Sequence, residues 1–169
     1  MIGTGPVDPT NERLTALEHR LREMEDWHAI YQLVASYGPA VDGLSREGLE
    51  ALWSADGTYE TEHHVFESAV EVGAIVDDPM HLGFVEPGCA HVMSLPLITL
   101  AGDVAVATNY SRVYVCTGDG WRVARVASNR WELSREDGGC WKVVRRINRL
   151  MNGSEASRSL LLSGVIGQP

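Results

Sequence analysis

The sequence predicts an α+β protein whose helices come first and whose strands form a curved antiparallel sheet. Three observations lead there. Apolar residues in the N-terminal third recur at helical spacing. Residues 90–100, 104–116, 121–134 and 140–150 read as strands, and the "AGD", "TGDG" and "EDGG" between them are hairpin turns. Helices and strands are segregated along the chain rather than interleaved, which points away from a parallel α/β sheet.

Residues 1–10 carry Gly, Pro and Thr without periodicity and read as a flexible arm. A single domain is expected over 11–150, followed by a tail over 151–169. Asn11 is a good N-cap with Glu12 behind it, so a helix is expected from there. Leu14, Leu17, Leu21 and Met24, spaced 3, 4 and 3, make an apolar stripe on a charged helix, with Glu18 and Arg22 paired across one turn of the polar side. From Trp27 onward the helix turns apolar, with Ile30, Tyr31, Leu33, Val34 and Tyr37. Its first half is therefore expected in solvent or against a partner, and its second half in the core. Gly38-Pro39 is expected to kink or break it.

A second helix is expected from Ser45 through Trp53, ended by "SADG". "TYETEHHVFE" alternates and reads as a strand or a hairpin. Ser68 and Glu71 match a capping box, which starts a short helix over 68–77. Residues 79–88 read as a loop. In the last long strand segment but one, period-two alternation groups Trp121, Val123, Ala127, Asn129, Trp131 and Leu133 on an inward face. "NGSEASRSLLL" reads as a short docking helix capped by Ser154.

Composition narrows the partners. The 169 residues, 44% hydrophobic and 22% charged, suit one globular domain with a substantial core. A net charge of −9 argues against nucleic acid or an anionic membrane surface. Cys89, Cys116 and Cys140 are odd in number and scattered, which indicates neither a zinc site nor a disulfide framework and suits a reducing cytoplasm. "MIGTGPVDPTNE" lacks the basic and apolar regions of a signal peptide, and no apolar run spans a bilayer.

The order of these elements resembles the nuclear transport factor 2-like cone fold. The stretches "IYQLVASYGPAVDGLSREGLEALWSADGTYE", "CAHVMSLPLITLAGDVAVATNY" and "NRWELSREDGGCWKVVRR" resemble its SnoaL-like branch, closest to scytalone dehydratase and the polyketide cyclases. They span roughly residues 27–147. The resemblance implies a sheet wrapped around the N-terminal helices, with an apolar pocket at the open end of the cone. It implies acid–base chemistry on small, often polycyclic substrates, generally with no metal or organic cofactor, and a homodimer or higher homo-oligomer. Some relatives with this fold are non-catalytic subunits.

His91 is the histidine of an otherwise apolar strand. The resemblance pairs it with Asp42 at the end of the first helix. A carboxylate on one ring nitrogen fixes the tautomer and leaves the other nitrogen to take and return a proton. Each residue also has a plain reading, as a core histidine and a turn aspartate. Asn129, a polar side chain on the inward face, must find partners there; the family pattern uses an Asn so placed to bind a substrate oxygen, and the same residue equally suits a bond to backbone or buried water. Arg125 shares its parity. Tyr59 lies near a family tyrosine that holds water or polarises a carbonyl. Two family positions differ: Val41 stands where a tyrosine is expected, and Ser111 near an expected histidine, with Asn109 and Tyr110 beside it as replacement donors. These departures set scytalone dehydration itself aside. Trp131 is a core residue that in a cone also lines the pocket. His81 falls in the loop expected at the pocket mouth. His63-His64 point to opposite faces of a strand and make no chelate, and no phosphate loop, G-x-S-x-G or dinucleotide motif occurs.

Two functions follow. One is a cofactor-independent lyase or isomerase acting through His91 and Asp42 on a small hydrophobic molecule. The other is a binding or oligomerisation module that keeps the fold without the chemistry.

Overall fold

The computed structural model describes residues 9–166. Helix α1 (Pro9–Asp42) leads, followed by the short α2 (Arg46–Glu50). Strand β1 (Trp53–Glu60) forms a hairpin with β2 (Val65–Phe66). Helix α3 (Ala69–Gly73), a 3-10 turn over Ala74–Asp77 and α4 (Pro79–Val85) lead into β3 (Cys89–Met93). Strands β4 (Leu97–Ala101), β5 (Val104–Thr117), β6 (Gly120–Arg135) and β7 (Trp141–Leu150) follow, and α5 (Glu155–Val165) closes the chain. Of the arm expected over 1–10, residues 1–8 lie outside the described range, and Pro9 and Thr10 already belong to α1.

The strand order is β2-β1-β7-β6-β5-β3, with β4 also on β5. Pairing is antiparallel except between β1 and β7, which run parallel. The sheet is open, with β2 and β3 at its ends.

Cross-strand register sets the inner face row by row. Asn109, Asn129 and Asn148 form one row, and Ile98, Ala107, Trp131, Arg146 and Tyr59 form the next. Ile30, Leu33, Val34, Tyr37 and Val41 of α1 pack on this face with Trp53, Trp131, Leu133, Trp141 and Val143. Helix α5 docks across β4 to β7, with Ser154 capping it. A Cβ on Gly164 would stand 2.0 Å from Thr108 Oγ1, so α5 meets the sheet through a glycine because nothing larger fits. Arg130 of β6 reaches Ser163 of the same helix at 2.9 Å.

Several local expectations differ. Pro39 does not break α1, which runs on to Asp42. The last turn closes through Gly43 N–H to the Pro39 carbonyl and Ser45 N–H to the Ala40 carbonyl, so the one bond lost at proline is flanked by intact ones. Helix α2 ends at Glu50, and Trp53 and "SADG" open β1 instead. The expected loop over 79–88 contains α4, because Asp78 caps it by accepting from Met80 N–H and Pro79 sits in its first turn. The strand expected over 90–100 is two strands. Ser94, Leu95 and Pro96 stand opposite only two residues of β5, because proline has no N–H for the ladder. Trp121 and Val123 are exposed rather than inward: the register shifts by one residue at Ala124, which breaks the alternation there.

Candidate functional site

Asp42 is the last residue of α1, and β3 passes directly alongside it. The approach is possible because Gly38 faces β3: a Cβ there would lie 2.1 Å from the His91 carbonyl oxygen. The His91 ring donates from Nδ1 to Asp42 Oδ1 at 2.6 Å, and the His91 backbone N–H donates to Oδ2 at 2.6 Å. Cys89 Sγ donates to the same Oδ1 at 3.3 Å. Burial raises the Asp42 carboxyl, but the bonds from the His91 ring and backbone outweigh it and hold the group below its usual value. An ionised carboxylate accepts only, so Nδ1 carries the proton, and the neutral ring keeps its lone pair on Nε2.

Cys89 acts as a neutral donor in this cluster. Burial, followed by its bond to Asp42, pushes its thiol up to about 12. Asp42, Cys89 and His91 offer one potential metal-ligand atom each within 4.8 Å of one another. Their contacts with one another are hydrogen bonds, with the thiol as a neutral donor to the carboxylate.

His81 on α4 lies beside the pair, buried, with its ring centre 5.7 Å from that of His91. Its Nε2 faces the Val41 carbonyl at 3.0 Å and, since a carbonyl only accepts, donates to it. His81 is therefore packed against His91 rather than placed on an open loop.

The second part of the site is the polar row on the inner sheet face. Asn129 is fully buried. Its Oδ1 accepts from Arg146 Nη2 at 2.8 Å, Arg146 Nε at 3.2 Å and Asn148 Nδ2 at 2.8 Å. Its Nδ2 donates to Ser111 Oγ at 3.0 Å. Trp131 Nε1 donates to Asn109 Oδ1 at 3.0 Å. Asn129 thus spends its bonding capacity on protein, two of its bonds being to the Arg146 guanidinium.

Arg146 is the residue that sequence reasoning missed. It is 1% exposed, and among the described residues no carboxylate forms an ion pair with it. Its guanidinium carbon lies 4.0 Å from the ring centre of Tyr37, 4.1 Å from that of Trp131 and 4.4 Å from that of Tyr59. Cation–π contact of this kind, desolvated, is worth ~2 kcal/mol or more. Nη1 is buried with no hydrogen-bond partner. A signal for Arg146 existed but was disguised. Counted from Trp141 and Val143, alternation sends Arg146 outward; the register shift at Val144 turns it inward.

Tyr37 joins the two halves. Its ring centre is 6.4 Å from that of His91 and 5.8 Å from that of Trp131, edge to face with both. Burial and then the neighbouring Tyr59 push its phenol up to about 12, so it stays protonated as a donor. It stands one helical turn before Val41, the position where the resemblance called for a tyrosine.

Of the residues singled out from sequence, His91, Asp42, Asn129, Tyr59, Ser111 and Trp131 lie around this interior. Tyr110 does not. It alternates to the other face, is 41% exposed, and binds Ser94 Oγ through its backbone N–H. Arg125 is also exposed.

A helix-first chain whose open curved sheet wraps one face around a long helix is a nuclear transport factor 2-like protein. The match of the SnoaL-like domain to residues 22–147 places it more narrowly: the chain belongs to the SnoaL-like family. It is similar to a nuclear transport factor 2-like protein with a cystatin-like fold from Novosphingobium aromaticivorans, at 37% identity over 93% of this chain and 99% of that one, TM-score 0.84. It shares the fold of the hexachlorocyclohexane dehydrochlorinase LinA-type3 from Novosphingobium barchaimii, at 17% identity over 78% of this chain and 90% of that one, TM-score 0.65. A Catenulispora acidiphila protein in complex with S-DNPA has the same fold, at 19% identity over 79% and 98% of the two chains, TM-score 0.64. No curated protein matches the chain. Among the described residues no helix is long and apolar enough to cross a membrane.

Proposed function

We propose that this protein is an acid–base enzyme of the lyase or isomerase type, acting without a cofactor on a small hydrophobic molecule. The observation that carries this reading is the 2.6 Å bond from His91 Nδ1 to Asp42. It leaves Nε2 of a buried histidine as the base, with a carboxylate behind it to stabilise the imidazolium. In the proposed reaction Nε2 takes a proton from a substrate carbon. The electron pair moves to a neighbouring oxygen or expels a leaving group, and the imidazolium returns the proton to the oxygen or the departing group. Arg146, with its unpartnered Nη1, and the phenols of Tyr37 and Tyr59 are the donors for the negative charge that develops. The families of this fold include dehydratases and isomerases, and a neighbour of the same fold is a dehydrochlorinase, so elimination fits the reading.

The test is a panel of small hydroxy-ketones and halogenated cyclic compounds, scored for elimination or for solvent-deuterium exchange at carbon. His91→Asn is expected to lower turnover of any active compound by about 100-fold or more. Undiminished turnover in that variant would overturn the assignment. The second reading, a binding module, is favoured by Asn129 being saturated by protein contacts. Under it, a compound binds wild type and His91→Asn alike and is never converted.

A further inference from the structure

The N-terminal half of α1 has no place in the fold described so far. Residues 9–25 are all exposed, a stretch about 25 Å long at helical rise. Leu14, Leu17, Leu21 and Met24 stand 52–69% exposed along it. An isolated helix of that length is marginal in water, and four large apolar side chains in solvent make it worse.

The spacing assigns a heptad without choice: Leu14 and Leu21 at a, Leu17 and Met24 at d, His28 at the following a. The flanking positions then follow. Arg13 and Arg20 fall at g, and Glu18 and Glu25 at e. Among the described residues none of these four charges forms an ion pair. In a parallel pair of helices g faces e of the partner five residues on, so Arg13 meets Glu18 and Arg20 meets Glu25, twice by symmetry. In an antiparallel pair g faces g and e faces e, which sets Arg against Arg and Glu against Glu. Charge complementarity therefore selects both the occupant and its direction.

We propose that residues 9–28 form a parallel two-stranded coiled coil with the same segment of a second copy of this chain. The coil holds two domains side by side at its C-terminal end, where Asp26 ties each helix to its own sheet through Arg135 at 2.5 Å and Trp141 at 3.1 Å. The dyad and the Arg146 cage lie beyond this anchor, so dimer formation is independent of the proposed reaction.

Sedimentation equilibrium of the full chain tests the proposal. Wild type is expected at twice the 18.5 kDa chain mass. Leu17→Glu with Leu21→Glu is expected as a monomer with an unchanged melting temperature of the domain. Arg13→Glu with Arg20→Glu is expected to weaken dimerisation by about tenfold at low salt. Mixing it with Glu18→Arg, Glu25→Arg restores a tight heterodimer. Leu17→Cys is expected to cross-link to itself on oxidation where wild type does not. A monomeric wild type, a trimer, or a dimer indifferent to the leucine variants would overturn the proposal. So would a Leu17→Cys dimer that fails to cross-link, since that outcome means antiparallel helices.

Discussion

Asp42 stands at the C-terminal end of a long helix, where exposed carbonyls make a poor environment for a negative charge. Three donors reverse that: two from His91 and one from Cys89. The carboxylate is thus held ionised by the residues it orients, and Asp42→Asn is expected to disturb both at once. An amide accepts at one oxygen only, so the His91 ring loses either its tautomer or its backbone anchor. Turnover is expected to fall by about 100-fold or more with substrate binding little changed, measured as kcat against KM. Arg146 poses the opposite problem. A buried cation with no carboxylate is costly to keep, so Arg146→Met is expected to leave the melting temperature unchanged or raised while activity drops. Arg146→Lys is not expected to restore it, because an ammonium cannot fill the planar stack among Tyr37, Tyr59 and Trp131. A strongly destabilised Arg146→Met with normal activity would make the cation structural.

Helix α1 and strand β3 depend on one glycine for their distance. Alanine in a helix interior is normally better than glycine by ~1 kcal/mol. At position 38 the added Cβ meets the His91 backbone oxygen, so Gly38→Ala is expected to destabilise by about 1–3 kcal/mol in urea unfolding. The same variant displaces His91 from Asp42. The elements also explain what the sequence made legible. Asp42 and His91 were legible through the family resemblance, which sets a residue at the end of the first helix against the histidine of an apolar strand and needs no register. Trp121 and Val123 were misplaced, and Arg146 went unseen, because alternation carries only until a strand gains a residue. The shifts at Ala124 and Val144, and the proline-induced one at 94–96, each reverse the faces beyond them. Helix α4 was hidden because Asp-Pro serves equally as a stop and as a cap with a first turn.

The whole molecule carries its strongest ionic ties between distant segments, and their titration sets how it responds to acid. Asp26 of α1 is held down by its bonds to Arg135 of β6, against some burial. Glu60 of β1 is held down by Arg145 and Arg149 of β7. For Asp42, burial opposes, but the His91 bonds prevail. All three carboxyls therefore sit lower in the folded chain than the ~4 of an unfolded one. A group with a depressed folded pKa adds stability that is complete above its unfolded value and is lost as pH falls through the folded value. The melting temperature is thus expected to be insensitive to these groups between about pH 7 and 5, and to fall steeply below about pH 4. Asp26→Asn removes one of them: it is expected to melt lower than wild type at neutral pH, with the two curves converging in acid. Curves that coincide from about pH 7 down to about pH 2 would mean that the Asp26–Arg135 tie between α1 and the sheet contributes nothing to folding. Because that tie is where the exposed half of α1 joins the domain, the same titration followed by sedimentation separates loosening of the anchor from dissociation of the coil. Acid that melts the domain while the mass stays double leaves the helix pair as the more durable of the two.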